Sequence, residues 1–254
     1  MVICPWRLLQ GYIKAHMISE QDTGVRFHNK GMLADGVIRG VPTDLPHRSG
    51  EMVAFVGPSG SGKTTTALAW LTQKKPRLYL KRFDQVLVVM PQSSRDSIPG
   101  DVFSALATPP FDELTPETFR EIMDLIESCE GETLLILDDV AHAIKDGEVM
   151  KMLRKLSFCR RHLHCTVWLI VQTLISLPLD GIRRNLTHAV VFRPRNGKDS
   201  RVLFDELIQQ PRDVAEAVVR HAWQEPHDAL LVGVEAQQYW RISRGSLRRL
   251  RLRR

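Results

Sequence analysis

The stretch at 53 to 71, VAFVGPSGSGKTTTALAWL, holds residue types that can grip a polyphosphate. Gly57, then Pro58, Ser59, Gly60 and Ser61, then Gly62, Lys63 and Thr64 fit the pattern G-x-x-x-x-G-K-[ST], with Thr65 directly after it. In such a loop, backbone N–H groups surround a β-phosphate and the lysine ammonium reaches the β- and γ-phosphates. The hydroxyl ligates Mg²⁺. Gly57, Gly60 and Gly62 read as positions where the chain takes a positive φ that a Cβ would resist.

Such a loop works only between a strand and a helix, and the flanks supply both. Met52 to Val56 is an apolar run of strand length, and from Lys63 onward Ala67, Leu68 and Leu71 share one helical face. The helix N-terminus adds a field that favours an anion. A second motif, LLILDDV, ends an apolar run on two acids. Ligands of open α/β sheets bind at the carboxyl ends of the strands, so Asp138 is expected to hold Mg²⁺ through water. Asp139 is expected to orient or deprotonate an attacking water. A further apolar run, CTVWLIVQ, delivers Gln172 to the same edge.

The rest of the chain supplies a rhythm of elements. Strands are expected at 84–90, 132–139, 165–172 and 188–194, with helices from Thr115 as N-cap to about Ser128 and from Asp146 to about His162. Helices follow at 201–209 and 211–223, and ALLVGV with QYWRI reads as a closing pair of strands. Strands alternating with helices imply an α/β fold with a mainly parallel sheet covered by helices. Residues 1–50, rich in proline and glycine, read as a β-rich or irregular lead-in; 51–242 as the nucleotide-binding domain; and 243–254 as an arginine-rich tail.

Composition narrows the class. With 254 residues, 43% hydrophobic and 25% charged, the chain can build one full α/β core. No apolar run is long enough to span a bilayer and no signal peptide is read, so a soluble intracellular protein with no membrane partner is expected. Cys4, Cys129, Cys159 and Cys165 are unevenly placed, which suits reduced thiols. The net charge is +6, but the last fourteen residues hold seven arginines and no acid, leaving 6 − 7 = −1 for the remainder. A basic end of that kind attracts nucleic-acid phosphates or docks a protein partner, while Leu247, Leu250 and Leu252 indicate that part of it packs as strand or helix.

Several nucleotide machines share such a loop. An ABC-type ATPase is disfavoured because no LSGGQ-like stretch precedes the Asp138 strand, and a GTPase because no N-K-x-D follows the core. In RRHLHCTVWLIVQTLISLPLDGIRRNLTHAVVFRP the chain resembles the poxvirus-type DNA-packaging ATPases of the FtsK/HerA superfamily, over roughly 51–195. The resemblance implies a RecA-like (ASCE) P-loop NTPase that uses ATP and Mg²⁺, with Lys63, Asp139, Gln172 and Arg161 as catalytic groups. Gln172 matches the family's sensor, Arg161 and His162 its Arg-His pair, and Arg183 or Arg184 the arginine of its P-x-x-I-R stretch. Asp139 stands where many relatives carry glutamate. Further implications are a homo-oligomeric ring, pentameric or hexameric, in which Arg161, or else Arg160, Arg183 or Arg184, reaches a neighbour's γ-phosphate. Double-stranded DNA read without base preference, a capsid or portal protein, and action at the site of virion assembly complete that expectation. A small-molecule phosphotransferase and a regulatory nucleotide-binding protein are the alternatives.

Overall fold

A computed structural model of the protein describes residues 18–26, 38–98, 100, 102–103 and 106–252. Much of the lead-in, Cys4 with it, and the last two arginines lie outside the described residues. The described strands are β1 (Ile18–Arg26), β2 (Met52–Val56), β3 (Gln85–Val89), β4 (Thr133–Asp138), β5 (Cys165–Val171), β6 (His188–Phe192), β7 (Ala229–Gly233), β8 (Gln238–Ser243) and β9 (Ser246–Leu252). They form one sheet in the order β1-β9-β8-β7-β6-β2-β5-β4-β3. From β6 to β3 the pairing is parallel, and from β6 to β1 it is antiparallel. Every residue of β2, β4 and β5 is buried, as strands covered on both faces must be.

The helices are α1 (Lys63–Thr72), α2 (Gln92–Asp96), α3 (Pro116–Ser128), α4 (Gly147–Cys159), α5 (Gly197–Val202), which continues as a π-helix over Leu203–Ile208, and α6 (Arg212–Ala222). Local chemistry starts two of them where the sequence indicates. Thr115 accepts the Thr118 N–H at 3.2 Å, with Pro116 in the first turn, and Asp146 accepts the N–H groups of Glu148 and Val149. Each cap contributes about 1 kcal/mol. Phe119, Ile122, Leu153 and Leu156 then cover one face of the sheet. Trp70, Tyr79 and Phe55 pack around Trp168 on the other, with ring centroids of Tyr79 and Trp168 5.1 Å apart, so Trp168 is core.

Two segments differ from the sequence reading. Residues 246–252, read as part of a basic tail, are strand β9, which joins β8 to β1 and buries Leu247 and Leu250. Within the lead-in, β1 is a full strand of that pairing. Residues 201–209, read as one helix, are split by the change from α to π at Leu203.

The amino edge of the central strands carries a pair made of buried Glu51 and half-buried His188. Glu51 and His188 approach to 3.9 Å, and Glu51 Oε2 has no hydrogen-bond partner. Burial pushes the Glu51 carboxyl up to about 8 and the His188 imidazole down to about 4, so both are neutral between those values. Glu51 in the unfolded chain ionises near 4.5, so the stability tied to its protonated form is present below that value and is lost as pH rises toward about 8. Glu51→Gln has no proton to lose there. Its melting temperature relative to the parent should climb across that interval, and a flat difference in thermal melts would contradict the assignment.

Candidate active site

Register brings the chemistry to one edge. β2 pairs with β5 on one side and β6 on the other, so the chain leaving Val56, Val171 and Phe192 emerges at the same end of the sheet. Asp138 at the end of β4 lies level with Ile170. Gly57 N–H donates to the Val171 carbonyl at 3.2 Å, and the loop then turns through Gly60 at φ 74° and Gly62 at φ 104°. Gly62 is the N-cap of α1. Gly57 does not take the positive φ expected of it. It is glycine for room, because an added Cβ would stand 2.6 Å from Phe192 Cβ and 2.8 Å from Ser61 Oγ.

The polar groups meet in a cavity of about 360 Å³ lined by Ser59, Lys63, Thr64, Asp138, Asp139 and Gln172, with Gly60, Gly62 and Thr65 also in its wall. Lys63 Nζ donates to the Pro58 carbonyl at 3.0 Å, folded back over the glycine-rich loop. Burial lowers the Lys63 ammonium despite Asp138 and Asp139 nearby. Thr64 Oγ1 donates to Asp138 Oδ2 at 2.9 Å. Asp138 is 6% exposed, and burial raises its carboxyl to about 6 although Thr64 and Lys63 pull the other way. A half-buried hydroxyl and a buried carboxylate suit a hard cation held partly by phosphate oxygens and water. Asp139 takes φ 55°, a left-handed backbone rarely adopted by a residue with a side chain, which costs on the order of 1 kcal/mol and is typical of functional positions.

The arginines divide differently. Arg161 follows α4 and precedes β5, where its Cα lies 2.7 Å from the place a Gly50 Cβ would occupy, at the amino edge of β2. The loop is at the other end, roughly 20 Å of extended chain away. Arg161 pairs with Glu235 at 3.1 Å and is not brought to its own subunit's phosphate loop. Arg160 is buried, donating to the carbonyls of Ser157 and Asn185. Arg183 pairs with Glu206 and Arg184 with Asp180. Sequence reasoning passed over Arg195, which lines a second cavity with Gly57, Ser59 and Gln172; its position beyond β6, next to the loop in space, was its one signal.

A glycine-rich loop between strand and helix, an acid pair at the end of the next strand but one and a polar residue just past the strand between them define a P-loop ATPase. The match to a family model confirms the class: residues 47–177, just over half of the chain, fit the AAA domain, and the chain belongs to that family. No curated protein matches in sequence. In structure the chain is similar to the DNA-packaging ATPase B204 of Sulfolobus turreted icosahedral virus, at 14% identity, TM-score 0.54, over 77% of this chain and 98% of that one. It is similar also to the genome-packaging NTPase of Sulfolobus turreted icosahedral virus 2 bound to ATP-gammaS, at 15% identity, TM-score 0.55, over 76% and 97%. The latter bound to AMPPCP gives 16% and 0.53, over the same shares. At these identities the likeness establishes the fold.

Gly57→Ala tests the close approach of the loop to β6. The added methyl must displace the loop, so binding of an ATP analogue should weaken at least tenfold, about 1.4 kcal/mol. Parental affinity measured by titration calorimetry would show that the loop tolerates the shift.

Proposed function

We propose that the protein is an ATP-driven double-stranded DNA translocase that packages a viral genome into a preformed capsid, working as a homo-oligomeric ring. The observation that carries this reading is the sheet order β2-β5-β4. A strand lies between the loop strand and the acid strand, and its end sets Gln172 on the same cavity as Lys63, Asp138 and Asp139. A residue so placed senses the γ-phosphate and transmits its loss along the 173–187 segment. The likeness of the fold to packaging ATPases supports the reading at the level of fold.

In this mechanism the backbone N–H groups of 57–65 and Lys63 hold the β- and γ-phosphates of ATP. Thr64 directly and Asp138 through water would hold Mg²⁺, whose charge neutralises the phosphate oxygens. Asp139 orients a water and takes its proton. The water oxygen attacks the γ-phosphorus, the bond to the bridging oxygen breaks, and ADP leaves with the electron pair. Gln172 positions that water or the γ-phosphate. Arg161, at the far edge and exposed, serves the neighbouring subunit's site, with its Glu235 pair opened on ring assembly. Such a finger contributes about 10³ to 10⁵ in rate.

DNA phosphate contact is assigned to the β9 face of the sheet. Arg241 is neutralised by Asp228 and Glu20, and Arg248 by Glu20. Arg249 and Arg251 share the opposite face and have no acidic partner among the described residues. Arg249 lies over the Trp240 ring, 5.8 Å from its centroid. Two forked cations on one face suit a polyanion's backbone, which carries no sequence information.

Steady-state ATP hydrolysis with and without long duplex, across a salt series, tests this reading. Duplex should stimulate turnover, and the stimulation should fade between about 50 and 200 mM salt as counterion release loses its advantage. Hydrolysis that depends on Lys63 and ignores DNA at every salt would overturn it. Asp139→Asn should keep nucleotide affinity while lowering kcat about 10² to 10⁴-fold; unchanged kcat would remove Asp139 from the chemistry.

A further inference from the structure

We infer that Arg195 is a catalytic residue acting within its own subunit, a guanidinium that closes on the γ-phosphate from the side of the loop opposite to β5. The order β6-β2-β5 places the chain leaving β6 on one flank of the phosphate loop and the chain leaving β5 on the other. Across the loop, a cavity of about 250 Å³ is walled by Gly57, Pro58 and Ser59, with Gln172 on one side and Arg195 on the other. Ser59 and Gln172 also wall the main nucleotide cavity, so the two spaces meet at the γ-phosphate end of the loop. Arg195 is exposed and has neither ion pair nor hydrogen bond among the described residues, unlike Arg160, Arg161, Arg183 and Arg184.

Charge gives the reason for a second cation. Of the described residues lining the nucleotide cavity, Lys63 alone is cationic, and Asp138 and Asp139 oppose it. A triphosphate in that company gains from a further donor aimed where charge develops as the bond breaks. Arginine suits the task, because its planar fork holds two phosphate oxygens at once.

The two flanks are also tied together. Asn196, next to Arg195, donates from Nδ2 to Asp199 Oδ2 at 2.8 Å and accepts the Asp199 N–H through Oδ1 at 2.8 Å. Asp199, 2% exposed, accepts the Ile175 N–H at 3.0 Å from the segment that begins at Gln172. One buried carboxylate thus holds the β5 and β6 exits as one body. Departure of the γ-phosphate releases Arg195 and Gln172 in a single movement.

The inference rests on the proposed placement of the γ-phosphate beside Gln172, and its test separates the two. ADP and a non-hydrolysable ATP analogue are titrated, without DNA, against the parent, Arg195→Ala, Arg195→Lys and Lys63→Ala, and ATP turnover is measured on each. The inference expects Arg195→Ala to bind the analogue at least tenfold more weakly, to bind ADP within twofold of the parent and to lose about 10²-fold or more in kcat. The lysine variant, lacking the fork, should not restore turnover. Parental analogue affinity and kcat in Arg195→Ala would overturn it, as would equal losses for ADP and analogue, which would mark general support of the loop. If Lys63→Ala also bound both nucleotides normally, the placement of the nucleotide itself would fail.

Discussion

Parallel pairing of β2 with β5 and β6 at once is the constraint on which the site depends. Val53 to Val56 bonds to both neighbours in register, so three chain exits leave the sheet within two strand spacings of one another. One exit is the phosphate loop, one carries Gln172 and one carries Arg195. Nothing in the loop's own sequence could supply this convergence. It follows from complete burial of β2 between two different cores: a one-residue shift would exchange the residues on its two faces, pressing Phe55 into the space that Ala54 fills and leaving Ala54 among the aromatic rings.

The two edges of that sheet handle charge in opposite ways. At the carboxyl edge, Asp138 and Lys63 are held partly desolvated beside an open cavity, where burial disfavours the charged form of each. At the amino edge, buried Glu51 and half-buried His188 are both neutral between about pH 4 and 8. The first arrangement binds and the second packs. Arg161 stands near the second, exposed and paired with Glu235 at the end of the sheet away from the phosphate loop.

The parts legible in sequence were those fixed by short-range pattern. The loop, the strands at 52–56, 133–138, 165–171 and 188–192, the caps at Thr115 and Asp146, and the acid pair all announce themselves within a dozen residues. What stayed hidden was non-local. Leu247, Leu250 and Leu252 indicate packing within the arginine-rich end, but Leu250 pairs with Glu20 across 230 positions, a partner no local period encodes. Gly57 is glycine because of Phe192, 135 residues away. Arg195 lies beyond the strand that follows Gln172, and only the lateral order of strands makes it a neighbour of the loop. Arg160 resembled Arg161 in sequence, yet packing commits it to the carbonyls of Ser157 and Asn185.

The central claim is directed movement along duplex DNA driven by ATP, and displacement of a fluorescent third strand from a triplex on linear duplex tests it most directly. The account predicts displacement by the assembled protein that requires ATP, is lost with a non-hydrolysable analogue, and is delayed in proportion to the length of duplex between the free end and the triplex. Displacement without hydrolysis, or hydrolysis at full rate with the third strand left in place at every length, would contradict it.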